Sequence, residues 1–194
     1  MCGPPRYVRI CEARHGSVSS PRNAGPCSGR SGMSAPDHED RSMYRHILIP
    51  TDGSRLSQNA IAHGAALAKS INAKVTILTV STPFHTFAVE PEMVTDTSEQ
   101  YTNHAANRAA KYLNSAKEVA EAAGVNCDTA HVEHDHPYQA IIDAAARERC
   151  DLIVMASHGR RGVSAIMLGS ETVKVLTHSA VPVLVVRASH PAAS

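Results

Sequence analysis

From Tyr44 onward, five short apolar runs are separated by four stretches of helical periodicity, and few architectures accommodate that alternation. The runs are "HILIP" (46–50), "KVTILTV" (74–80), "VNCDTAHV" (125–132), "DLIVMA" (151–156) and "VPVLVV" (181–186). Strands that alternate with helices join through right-handed crossovers into a parallel sheet covered on both faces. The unbroken apolar character of "ILI", "LIVM" and "VLVV" agrees, because strands buried on both sides need no polar face. The expected fold is α/β: a five-stranded parallel doubly wound sheet with helices on both faces.

The helical stretches carry their own start and stop signals. In residues 54–70, Leu56, Ala60, Gly64 and Leu67 share one face, and Ser54 is positioned as the N-cap. A long helix is expected from about Ser98 to Ala123, with Tyr101, Ala105, Ala109, Tyr112, Ala116 and Ala120 at helical spacing and Gly124 as its stop. Residues 137–149 open with Pro137 in the first turn, and a last helix follows over 170–179.

The first 42 residues read differently: 17 of them are Gly, Pro or Ser, and no periodicity is present. Such a segment buries too little apolar surface to offset its ordering entropy, so residues 1–42 are expected to form a disordered extension to a domain over 43–190. Met33 and Met43 both precede the first expected strand, and either is a candidate start. The formal charge of +1 gives no nucleic-acid surface. No apolar run reaches the roughly 20 residues that cross a bilayer. No secretory signal is evident either, so a cytoplasmic protein is expected. The five cysteines form no CxxC pair; Cys127 and Cys150 sit in apolar contexts and read as small core residues.

In an open α/β sheet, ligands bind beyond the carboxyl ends of the strands, where the strand order reverses. "PTDGS" (50–54) and "SHGRRG" (157–162) both occupy that position and would face one crevice if their strands are neighbours. In "MASHGRRGVSAIMLGSET" (155–172), Gly159 and Gly169 permit positive φ or close backbone approach. Gly169 and Ser170 begin a helix whose free amides and dipole suit an anion, with Ser170 able to cap it or to donate to a phosphate. Neither a Walker loop nor the dinucleotide fingerprint is present. Spacing alone leaves open a simple turn in which the glycines turn and Ser170 caps.

"HILIPTDGS", the strand-final Val80, "DLIVMASHG" and "LGSETVKVLTHSAVPVLVVR" together resemble the universal stress protein A family, over roughly Tyr44 to Arg187. The resemblance implies a strand order of 3-2-1-4-5, numbered from "HILIP", and a homodimer paired through residues 181–186. It also implies ATP binding through G-x2-G-x9-G-[ST], with Mg as counter-ion of the phosphates. That signature falls on Ala156, Gly159, Gly169 and Ser170, so alanine replaces the first glycine; "DHP" (135–137) stands where many members have G-x-P. Carried over residue by residue, Pro50 and Thr51 line the pocket and Asp52 meets the ribose or adenine side. Val80 contacts adenine, Met155 and Ala156 floor the pocket, and Gly159, Gly169, Ser170 and Thr172 hold phosphates. Glu171 is expected to point outward, since it would otherwise repel a triphosphate.

Other residues offer weaker chemistry. His131, His134 and His136 lie close together with Glu133 and Asp135. His134 and His136 would share a face as a metal pair if the strand continues that far, and otherwise the stretch is a polar strand end entering a turn. His158 could touch a phosphate or cap the turn, and Arg160 and Arg161 could screen phosphate charge or be a solvated pair. No histidine completes a triad with Asp52 and Ser54, so turnover beyond slow ATP hydrolysis has no support. Two functions remain: a stress-responsive regulatory module that binds ATP, and a dimeric interaction module of the same fold that binds no nucleotide.

Overall fold

A computed structural model describes residues 7–10, 43–84, 98–159 and 168–187. Its strands are β1 (Tyr7–Ile10), β2 (His46–Pro50), β3 (Lys74–Ser81), β4 (Cys127–Glu133), β5 (Leu152–Ala156) and β6 (Val183–Val186). Its helices are α1 (Arg55–Ile71), α2 (Ser98–Ala122), α3 (Pro137–Arg147) and α4 (Ser170–His178). All lie within one or two residues of the expected elements except β1, which was not expected.

The sheet runs β1-β4-β3-β2-β5-β6. The five strands from β2 onward are parallel and keep the 3-2-1-4-5 order, with β2 between β3 and β5. The expected count of five is corrected by β1, which pairs antiparallel with β4 in the register Tyr7↔Val132 to Ile10↔Thr129. The segment assigned to disorder therefore supplies an edge strand at Tyr7–Ile10. Tyr7 packs against the core, its hydroxyl donates to Glu148 Oε1 at 2.7 Å, and the Arg147 guanidinium lies 4.4 Å from its ring centre.

Alternation along each parallel strand divides the core in two. Ile47, Ile49, Val75, Ile77 and Val154 point toward α1 and α2, against Ile61, Ala65, Leu113, Ala116 and Ala120. Leu48, Leu78, Ile153 and Met155 point to the other face, against Ala140, Ile141, Ala144 and Val175 of α3 and α4. The period of two sends neighbours to opposite faces, so both must be apolar where both faces are covered. The buried face of α1 is Ala60, Ile61, Gly64, Ala65 and Ala68; Leu56 and Leu67 lie at its margin. Small residues win that face because the helix sits close to the sheet: a Cβ on Gly64 would stand 2.5 Å from Ile49 Cδ1. Gly124, at φ +78°, ends the α2 segment as expected. No helix among the described residues is long and apolar enough to cross a membrane.

Candidate functional site

The site begins where β2 stops. Thr51 is buried and fully tied down: its amide donates to Leu78 O at 2.7 Å and its carbonyl accepts from Thr79 Oγ1 at 3.0 Å. Its hydroxyl lies 3.0 Å from that of Ser57. Asp52 Oδ1 accepts the Ser54 amide at 3.0 Å, and Ser54 Oγ in turn accepts the Ser57 amide at 3.2 Å, capping α1 as expected. Gly53 takes φ +74°, and a Cβ there would collide with the Tyr112 ring, so another residue fits this turn only with backbone strain and a displaced Tyr112 side chain.

The second wall begins where β5 stops. Ala156 is buried in the strand and has negative φ, so alanine at the first signature position carries no backbone strain. The Ser157 amide donates to Val186 O at 2.9 Å and its carbonyl accepts the Gly169 amide at 2.8 Å, closing the loop back on itself. Gly159 lies against Asp52, because a Cβ on it would stand 2.9 Å from Asp52 Oδ2. A Cβ on Gly169 would stand 3.4 Å from both His158 Cα and Ser157 O. Gly169 has φ −63° and Gly159 is not among the positive-φ glycines, so close approach, not a left-handed turn, is what these two supply.

Gly169, not Ser170, is the N-cap of α4, and no side chain caps that helix. Ser170 is its first residue and is exposed, so the capping role expected of it is corrected. Thr172, buried, donates its hydroxyl to Ala156 O at 3.1 Å, which ties α4 to the end of β5. Glu171 does not swing free into solvent: Oε2 accepts the Tyr138 amide at 2.9 Å and Oε1 accepts from Lys174 Nζ at 3.0 Å. Its carboxylate thus satisfies a first-turn amide of α3, the neighbouring helix, which has no side-chain cap of its own.

These walls enclose a cavity of about 570 Å³, a size that suits a small organic ligand. Pro50, Thr51, Asp52, Val80, Met155, Ala156, Gly159, Gly169, Ser170 and Thr172 all line it. Ser57, Leu78, Thr82, Pro137, Ile141, His158 and Glu171 complete the lining. The sequence reading missed Leu78 and Ile141, whose alternation says only that they are buried. Pro137 carried a usable signal, since a proline at N1 marks a helix start. A smaller hollow of about 370 Å³ adjoins through Asp52, Val80 and Thr82, and reaches Tyr101, Arg108 and Tyr112 on α2.

His158 is 7% exposed; its Nδ1 lies 2.9 Å from Ser157 Oγ, and its Nε2 is buried without a hydrogen-bond partner among the described residues. Arg160 and Arg161 lie outside the described residues. The histidine cluster separates: His131 Nε2 lies 2.8 Å from Ser81 Oγ, while His134 Nδ1 accepts the His136 amide at 2.9 Å in a turn beyond β4. Burial lowers the His131 pKa, partly opposed by Glu133. Cys127 and Cys150 are free thiols packed in or against the two cores.

Residues 43–187 match the model of the universal stress protein family. A universal stress protein of Methanocaldococcus jannaschii is 33% identical over 150 residues, covering 75% of this chain and 84% of that protein. Among solved structures, a universal stress protein of Lactobacillus plantarum superposes with a TM-score of 0.63 at 26% identity, over 74% of this chain and 98% of that one. A universal stress protein in complex with cAMP gives 0.55 at 25% identity, over 75% and 98%.

Proposed function

Because the chain belongs to the universal stress protein family, we propose that its cavity binds an adenine nucleotide and that occupancy regulates a cytoplasmic stress response. The ligand we assign is ATP, with Mg2+ as counter-ion of its phosphates. One observation carries the reading: ten residues drawn from four separate stretches of sequence line a single cavity at the start of α4. The amides of Ser170, Glu171 and Thr172 belong to the first turn, where helical geometry leaves N–H groups without carbonyl partners. They and the helix dipole supply the positive potential for a phosphate, and the exposed Ser170 hydroxyl adds a donor. Pro50, Leu78, Val80, Ile141 and Met155 offer apolar surface to the base. Asp52, whose Oδ1 accepts the Ser54 amide, stands in the lining on the side assigned to the ribose. A related universal stress protein forms a complex with cAMP, which supports the adenine class.

The active form we propose is a homodimer joined through β6. That strand is an edge of the sheet, and Leu184 on it is 44% exposed.

The test is mass spectrometry of the denatured purified protein, together with thermal melting in millimolar Mg-ATP. Bound adenine nucleotide and a raised melting temperature are expected. Their joint absence would favour the other reading, a dimeric interaction module that binds no nucleotide.

A further inference from the structure

We propose that Glu171 makes this cavity discriminate among adenine nucleotides by phosphate charge, favouring a monophosphate over a metal-free triphosphate. This selectivity rests on the nucleotide reading above and gives it a ligand preference.

Two helices begin at the cavity: Pro137 opens α3, Ser170 opens α4, and both residues line it. Each start carries the partial positive charge of its helix dipole. At α4 no side chain caps the first-turn amides. At α3 the Tyr138 amide is already taken, 2.9 Å from Glu171 Oε2. The chain has thus placed its own anion between the two helix starts. A single phosphate on α4 uses amides that no side chain occupies. A phosphate chain that continues toward α3 meets a carboxylate already hydrogen-bonded there.

Among the described lining residues the carboxylates are Asp52 and Glu171, and none is Lys or Arg. Lys174 neutralises part of Glu171 from outside the cavity. It lies 3.0 Å from Oε1, and its ammonium sits 5.3 Å from the Tyr138 ring centre, on the α3 side. A carboxylate that faces added negative charge in a partly solvated wall changes affinity by on the order of tenfold. Mg2+ bound to the triphosphate cancels most of that repulsion, so triphosphate binding should require the metal far more than monophosphate binding does.

The test is calorimetric titration of the full chain with AMP and with ATP, both in EDTA, for the unaltered protein and two variants. Glu171→Gln keeps an oxygen to accept the Tyr138 amide, so the α3 start stays capped. It should raise metal-free ATP affinity about tenfold while AMP changes much less. Lys174→Met, which strips the carboxylate of its cation, should move the AMP-to-ATP preference the opposite way and keeps the question answerable if Glu171→Gln folds poorly. A preference that stays the same in both variants overturns the assignment to Glu171. If neither nucleotide binds any of the three proteins, with or without Mg2+, the nucleotide reading itself falls.

Discussion

Asp52 and Gly159, which follow β2 and β5, meet so closely that a Cβ on Gly159 would stand 2.9 Å from Asp52 Oδ2. The obstructing atom is the far end of a side chain, so Gly159→Ala should fold normally and melt at nearly the same temperature. The displaced carboxylate would no longer reach a ribose hydroxyl, at a loss of about 1.5–3 kcal/mol in nucleotide affinity. Equal affinity for the variant, measured by titration calorimetry, would remove Asp52 from the site.

Ser170 begins α4 without capping it, and its exposed hydroxyl makes no hydrogen bond to another described residue. Ser170→Ala should leave thermal stability within about 0.5 kcal/mol, as for other exposed positions. Nucleotide affinity should fall by about 1.5–3 kcal/mol if the hydroxyl donates to a charged phosphate. Stability and affinity falling together would instead point to a structural role that the cap geometry does not suggest.

The β1 strand covers the β4 edge of the sheet. A chain starting at Met43 should therefore melt at a lower temperature and self-associate more readily, since an uncovered edge presents unpaired backbone groups. Tyr7→Phe, which removes only the hydroxyl bonded to Glu148, should cost about 0.5–1.5 kcal/mol in denaturant unfolding. A truncated chain that is as stable and as monodisperse as the full one would show that β1 contributes nothing.

Val183 packs into the core from β6, whereas Leu184 on the same strand is exposed. Leu184→Lys should therefore disrupt pairing between copies without disturbing the fold. Light scattering should report monomers with an unchanged circular dichroism spectrum. A soluble, unaltered dimer would exclude β6 as the interface.

Burial, with smaller contributions from nearby carboxylates, pushes the Cys127 thiol up to about 11 and that of Cys150 up to about 12. At pH 8 both should stay protonated in the native protein and react with iodoacetamide only after denaturation. Because both values are raised on folding, this contribution to stability is fully present below the ordinary thiol value of 9.0. It is lost as pH climbs from there through 11 and 12, as the unfolded thiols ionise first. Rapid native labelling of either cysteine at pH 8 would contradict the packing around it.

The sequence alone determined the parallel core and the cast of the cavity. Ile47, Leu48 and Ile49 are apolar without a gap, and only a strand covered on both faces needs that. The positions of Pro50, Asp52 and Gly159 at or just after strand ends, and of Gly169 at a helix start, followed from periodicity and breakers, which are local properties of the chain. Their individual roles came from the family resemblance. The tertiary structure decided what depends on partners far away in sequence. Tyr7 takes its place against Val132, Arg147 and Glu148, all more than 120 residues later, contacts that exist only once the chain has folded. Gly169, not Ser170, is the cap, its amide closing the loop on Ser157 O across a contact between segments twelve residues apart. Glu171 turns to the Tyr138 amide because α3 begins there with no side-chain cap of its own. An unmet amide on a neighbouring helix is a demand that exists only once the chain has folded.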